Sequence, residues 1–177
     1  MKITISGTPG SGKSTVGSAL ADELEYDHYS TGDFMRRMAR ERDMTLDELQ
    51  RLAENDPSID EELDAYNKQL GKNKDNFILD SRLGFHFIPD AVSIYLAVDL
   101  DEAAQRIAED SREDSANSIG AIKQQVQDRI ASENERYKTY YDVYIHDEDK
   151  HDVVIDTTEK TPDEVVATCL DAIDHNL

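Results

Sequence analysis

Gly7-Thr8-Pro9-Gly10-Ser11-Gly12-Lys13-Ser14-Thr15 follows the short apolar run Lys2-Ile3-Thr4-Ile5-Ser6, and its spacing decides the fold. Residues 7–14 fit G-x-x-x-x-G-K-[ST] without mismatch, and a helical pattern with Val16, Leu20 and Leu24 on one face begins at Lys13. Strand, glycine-rich turn and helix N-terminus in register make an anion cradle. The glycines let backbone N–H groups turn inward around a β-phosphate, Lys13 reaches the β and γ oxygens, and Ser14 offers a hydroxyl to Mg²⁺. A chance glycine-serine loop has no need of that context on both sides. ATP or GTP is therefore expected along residues 7–15.

Working outward, strand-like runs recur at residues 3–6, 77–80, 92–98 and 153–156, with a weaker one at 27–30, and helical patterns separate them. Such alternation predicts an α/β fold: a three-layer α/β/α sandwich on a five-stranded parallel sheet, forming a single domain over 1–177. Helical blocks are expected at 33–55, from Ser58 behind Pro57 to near Gly71, and at 118–141, and Thr161-Pro162-Asp163-Glu164 opens a last helix. The blocks after Gly32 and after Ser118 exceed what a crossover needs. They are read as segments that cover substrate, over about 31–71 and 109–141.

The chain has 177 residues, enough for a core without covalent staples. Lys+Arg 19 against Asp+Glu 39 gives a net charge of -20, which disfavours nucleic acid and anionic membranes as partners and leaves small phosphorylated metabolites held by local arginines and amides. Cys169 is the only cysteine, so there is no disulfide framework or multi-cysteine metal site; it is read as an inert core residue. No apolar run approaches the length of a membrane span, and no signal-peptide core precedes the first strand. A soluble, cytoplasmic monomer acting on small molecules is expected.

A nucleotide-dependent switch protein shares the loop but reads guanine with N-K-x-D. Here the nearest string, Asn73-Lys74-Asp75-Asn76, places the acid one position early, and Asp80-Ser81-Arg82-Leu83-Gly84 does not supply D-x-x-G. Three other segments bear on an anion. Ser30-Thr31-Gly32-Asp33-Phe34-Met35-Arg36 follows the second strand, at the end where open parallel sheets bind ligands, and Arg36 with Arg40 makes a like-charge i,i+4 pair that an anion would relieve. Phe77-Ile78-Leu79-Asp80 is an apolar strand ending in a carboxylate placed to hold Mg²⁺ or its waters, with Arg82 two residues on. Asp80 and Arg82 could equally form only a local ion pair. Arg129, Glu133 and Arg136 border the stripe Ile122, Val126, Ile130 and Tyr137; such arginines either reach a cleft or snorkel from a covered helix.

Together these residues resemble the nucleoside monophosphate kinases, most closely the short archaeal-type cytidylate kinases, over nearly the whole chain. "STGDFMR" is similar to the family's S-[TA]-G-D-x-[FL]-R, "LDSRLG" to L-[DE]-G-R-L-A-G, and "RIASENERYKTYY" to R-x-x-S-E-x-x-R-Y-x-x-x-Y. The last is far more selective than the loop and turns Arg129 and Arg136 toward the cleft. The resemblance implies ATP as donor, Mg²⁺, and CMP or dCMP as acceptor. It implies that Thr31, Arg36, Arg82 and Glu133 bind the acceptor, that Arg106 lies near the donor purine, and that Lys13, Arg82, Arg129 and Arg136 stabilise transferred charge, with Ser14 and Asp80 at the metal. Adenylate kinase is the nearest rival, but its D-G-F-P-R-T segment and separate lid insertion are absent. Leu83 stands where bacterial cytidylate kinases carry a base-reading acid, but the archaeal-type pattern has leucine there too, so base choice is expected from elsewhere, with Thr31 and the 58–70 helix as candidates. Ser81 stands where the family has glycine, at the backbone's approach to the phosphate.

Overall fold

The computed structural model describes residues 1–53, 55–110 and 118–175. Five strands, β1 (Lys2–Gly7), β2 (Asp27–Ser30), β3 (Phe77–Asp80), β4 (Val92–Ala97) and β5 (Val153–Asp156), form one parallel sheet in the order β2-β3-β1-β4-β5. Between them run α1 (Lys13–Leu24), α2 (Thr31–Glu41), α3 (Leu46–Ala53), α4 (Pro57–Asn73), α5 (Gly84–Phe87), α6 (Leu100–Asp110) and α7 (Ile119–Tyr141), with α8 (Pro162–His175) last. This is the expected α/β sandwich. The chain crosses from β1 out to the edge at β2 and returns past it, so the loops after β1, β2 and β3 converge at one end of the sheet.

Period-two alternation explains the layers. Ile3, Ile5, Ile78, Ile94, Leu96 and Ile155 pack with Val16 and Leu20 of α1 and Val165 and Ile173 of α8 on one face. Phe77 and Leu79 point the other way, onto Leu70 of α4 and Ile88. Cys169 is fully buried in the first cluster, where burial pushes its thiol up to about 12, as its inert reading requires.

The 33–55 block is two helices rather than one. Asp43 adopts φ 53°, and Thr45 then starts α3 through reciprocal bonds with Glu48: Thr45 N to Glu48 Oε2 at 2.8 Å and Glu48 N to Thr45 Oγ1 at 3.2 Å. The turn lets Met38, Ala39, Leu49, Ala53 and Ile59 close a small core of their own across α2, α3 and α4. Asp56 caps α4 by accepting from Ser58 N at 3.0 Å, with Pro57 in the first turn. That helix continues to Asn73, two residues past Gly71. Within the expected 109–141 cover, residues 111–117 lie outside the described residues. Among the described residues, no helix is long and apolar enough to cross a membrane.

Candidate active site

The glycine-rich loop sits hard against the end of β4. Gly7 has φ 147°, and a Cβ there would lie 2.1 Å from Leu96 O, the atom that accepts from Thr8 N at 3.1 Å. Gly12 caps α1 in the left-handed region, at φ 83°, with no side-chain bond and no acid in the first turn. The first-turn N–H groups are therefore left for an anion. Pro9 and Ser11 are buried and Thr15 is exposed. Lys13 folds back onto the loop, donating from Nζ to Gly7 O at 3.0 Å and Thr8 O at 2.8 Å.

Burial lowers the Lys13 pKa to about 8, with Arg82 adding to the fall and Asp80 opposing it. An amine this poised should take up a proton when polyphosphate arrives, because the anion favours the charged form. With a pKa near 8, polyphosphate binding around that pH should therefore be accompanied by proton uptake, up to about half a proton per site. Calorimetry in buffers of different ionisation enthalpy measures it; uptake should vanish toward pH 6 and in Lys13→Met.

Three strand ends meet beside the loop, since Asp80 pairs in register with both Ile5 and Ser30. Ser14 Oγ donates to Asp80 Oδ2 at 2.6 Å, and Thr31 Oγ1 donates to Asp80 O at 3.2 Å. A hydroxyl and a carboxylate in contact are hard oxygen donors, which suits Mg²⁺ completing its shell with phosphate and water. Among the described residues, no cluster of three or more His, Cys, Asp or Glu side chains could hold a metal unaided.

Past Asp80 the wall runs into a cavity of about 380 Å³, lined among others by Thr31, Ser81, Arg82, Arg129, Glu133 and Arg136. Arg129, Glu133 and Arg136 share a face of α7 at i, i+4 and i+7. Glu133 Oε1 takes both Arg82 Nε at 2.8 Å and Arg129 Nε at 2.9 Å, and His146 Nε2 stands 3.6 Å from Oε2, beyond hydrogen-bond reach. Burial pushes the Glu133 carboxyl up, but Arg82 and then His146 outweigh it and hold the group below its ordinary value. Glu133 is thus an anion that neutralises two guanidiniums aimed at the same space. Arg136 Nη2 donates to Tyr137 OH at 2.7 Å. Arg36 is not among the residues lining this cavity; it is half exposed and pairs with Asp33 at 2.6 Å.

A second cavity, about 410 Å³, opens beside Gly10, Ser11, Gly12 and Thr15 and includes Arg106. Arg106 is fixed there by Glu102 at 2.8 Å and by the Thr157 carbonyl at 2.7 Å. Sequence reasoning missed His146 and, though it offered the 58–70 helix for base choice, did not single out which polar side chains of that helix reach the cavity. Tyr95 OH lies 3.0 Å from His146 Nδ1, and Asp60, Asp64 and Asn67 of α4 line the first cavity. The histidine stands in an acidic loop with no periodic pattern, and the α4 residues look like any polar helix face.

A model of the cytidylate kinase-like family matches residues 2–159. A cytidylate kinase of Halobacterium salinarum is 41% identical over 98% of this chain and 90% of its own length, and one of Methanococcoides burtonii 42% identical over 89% and 88%. A shikimate kinase of Bacteroides thetaiotaomicron superposes with a TM-score of 0.72 over 98% of both chains at 13% identity, a likeness of fold alone. With its glycine-rich loop and arginine-lined cavity at one end of a 2-3-1-4-5 sheet, the chain belongs to the cytidylate kinase-like family.

Proposed function

We propose that this chain transfers the γ-phosphoryl group of ATP to CMP or dCMP, giving CDP or dCDP and ADP. The observation that carries the reading is the placement of Arg82, Arg129 and Arg136 around one cavity whose wall continues through Ser81 to Asp80, itself bonded to Ser14 of the loop. Guanidiniums beside a polyphosphate cradle suit two phosphates meeting end to end, and the family relatives named cytidylate kinase support the same reaction.

In this reading residues 7–15 hold the donor phosphates and Arg106 flanks the donor base. Lys13 leaves the Gly7 and Thr8 carbonyls for the β and γ oxygens. An acceptor phosphate oxygen bonds to the γ phosphorus as the bridging P–O bond to ADP breaks, and charge spreads over the equatorial oxygens. Lys13, Arg82, Arg129 and Arg136 neutralise that charge, which is where most of the acceleration arises. Mg²⁺ held between Ser14, Asp80 and the phosphates would add Lewis-acid stabilisation of the same charge. Once phosphate displaces Glu133 from its arginines, the carboxylate is free to accept from an acceptor ribose hydroxyl, with Thr31 beside it. α2, α4 and α7 close over the substrates and limit futile hydrolysis. The enzyme works as a cytoplasmic monomer on these small molecules.

A coupled ADP-release assay over CMP, dCMP, UMP, AMP and GMP tests this. Release driven by CMP or dCMP is expected; release with AMP alone would make it an adenylate kinase, and release with none would overturn the assignment. Arg36 lies on the second turn of α2, one residue past Met35, which lines the cavity, and would reach the acceptor phosphate on closure. Arg36→Ala should therefore raise the acceptor KM about tenfold with kcat within about twofold, the pattern of lost ground-state binding.

A further inference from the structure

α4 turns Asp60, Asp64 and Asn67 onto one face, at i, i+4 and i+7, and all three line the cavity that Arg82, Arg129 and Arg136 also line. They are 6%, 9% and 3% exposed, and two of their oxygens, Asp60 Oδ2 and Asn67 Oδ1, have no hydrogen-bond partner among the described residues. Asp64 Oδ2 accepts from Tyr141 OH at 2.8 Å, which fixes that carboxylate, while Arg136 Nη2 stands 3.8 Å from Asp60 Oδ1, an ion pair without a hydrogen bond. Buried acceptors without donors cost about 1–3 kcal/mol each, and two carboxylates four apart on a helix repel. Burial accordingly pushes both carboxyl groups above their ordinary values, against the pull of Arg136 on Asp60 and of Tyr141 on Asp64. The helix dipole accounts for an acid in the first turn at Asp60 but not for Asp64 or Asn67 further along. Asp60 Oδ2 and Asn67 Oδ1 thus remain acceptors that a ligand's hydrogen-bond donor would satisfy.

We propose that Asp60 and Asp64, with Asn67 beside them, read the acceptor base by accepting from its exocyclic amino group, so that the site selects cytosine over uracil. This rests on the phosphoryl-transfer reading, which supplies a ligand with a phosphate for the arginines and a base for the acids. Cytosine presents an N4 amine where uracil presents an O4 carbonyl. A carboxylate can only accept, so it satisfies the amine and meets the carbonyl lone pair to lone pair. Asn67 carries both an N–H₂ and a carbonyl and can face either base, so the discrimination lies with the two acids. Sites that leave a buried polar group unpaired with the wrong substrate discriminate far more strongly than apolar pockets do.

The test is kcat/KM for CMP and UMP, two rings of one size, in the full chain and in Asp60→Asn and Asp64→Asn, with thermal unfolding as a check of folding. The unaltered enzyme should prefer CMP by at least about 10³-fold. Each isosteric amide offers N–H₂ to O4 and should lower that preference at least about 30-fold, through loss with CMP and gain with UMP, in at least one variant. A merely structural role would lower both substrates in proportion; an unchanged ratio in every variant that folds, or equal use of UMP by the unaltered enzyme, overturns the base assignment while the kinase reading stands. Should both amide variants fail to fold, Asn67→Asp, which fixes a third acceptor, must raise the CMP preference, and an unchanged or lower preference overturns the proposal. Failure of the unaltered enzyme on every monophosphate would instead sink the kinase reading itself.

Discussion

Lys13→Ala should lower turnover about 10³-fold while moving the acceptor KM by no more than about threefold, because the charge it supplies matters most when the γ-phosphoryl group is between its two oxygens. That is about 4 kcal/mol of barrier, a reasonable share for one preorganised cation at a phosphoryl transfer. Among the described residues the ammonium bonds to the Gly7 and Thr8 carbonyls alone, and its burial already disfavours its charge. Removing it should therefore leave the unfolding temperature within a few degrees, which separates the kinetic loss from misfolding. Lys13→Arg should not restore the rate: the guanidinium is larger and planar, whereas the space under the loop fits a point charge. Steady-state kcat and KM for both substrates decide the matter. A large rise in acceptor KM with turnover intact would place Lys13 in ground-state binding instead.

The parts of this molecule that depend on near neighbours in sequence were legible before any coordinates. The loop at 7–14 needs only a strand before it and a helix after it. The cap at Thr161 and Glu164 likewise shows itself as T-x-x-E, with Thr161 N reaching Glu164 Oε2 at 2.8 Å. The same pattern at Thr45 and Glu48 marked a helix start inside the 33–55 block, and it was hidden because Arg40, Glu41, Arg42 and Asp43 continue a polar, helix-compatible run. Arg82 stood out by its distance to a strand end, whereas the helical wheel left Arg129 and Arg136 between cleft and snorkelling, and only the family resemblance turned them toward the cleft. Asp60, Asp64 and Asn67 did not stand out, since a polar side chain becomes informative only when something distant buries it. Here that burial comes from α7 and the segment after β3, far along the chain. Arg36 shows the opposite case: its spacing to Arg40 suggested an anion, yet Asp33 on the preceding turn already supplies one.

Arg82→Ala should cost more than Arg36→Ala, raising the acceptor KM and lowering kcat together for a combined loss of about 10³–10⁴ in kcat/KM. Arg82 lies at the junction of the two halves of the site, one residue past Ser81 from the carboxylate that Ser14 binds and 2.8 Å from Glu133. Burial works against its charge, but Glu133, Tyr137 and Asp80 more than compensate, so it remains a fixed cation where acceptor phosphate and transferring group would both sit. A cation that serves ground state and transition state alike should appear in both kinetic constants. Stability also changes, because Glu133 is 13% exposed and loses one of two partners on the same oxygen. Arg129 stays at 2.9 Å, so the loss should be about 2 kcal/mol rather than the roughly 3–5 kcal/mol of a wholly stranded buried charge. For a chain of this size, that lowers the unfolding midpoint by roughly 4–8 °C. The double variant Arg82→Ala with Glu133→Gln removes the stranded charge together with its partner and should recover most of that midpoint without recovering the rate. Recovery of both would mean that Arg82 only manages Glu133 and does not meet the phosphate.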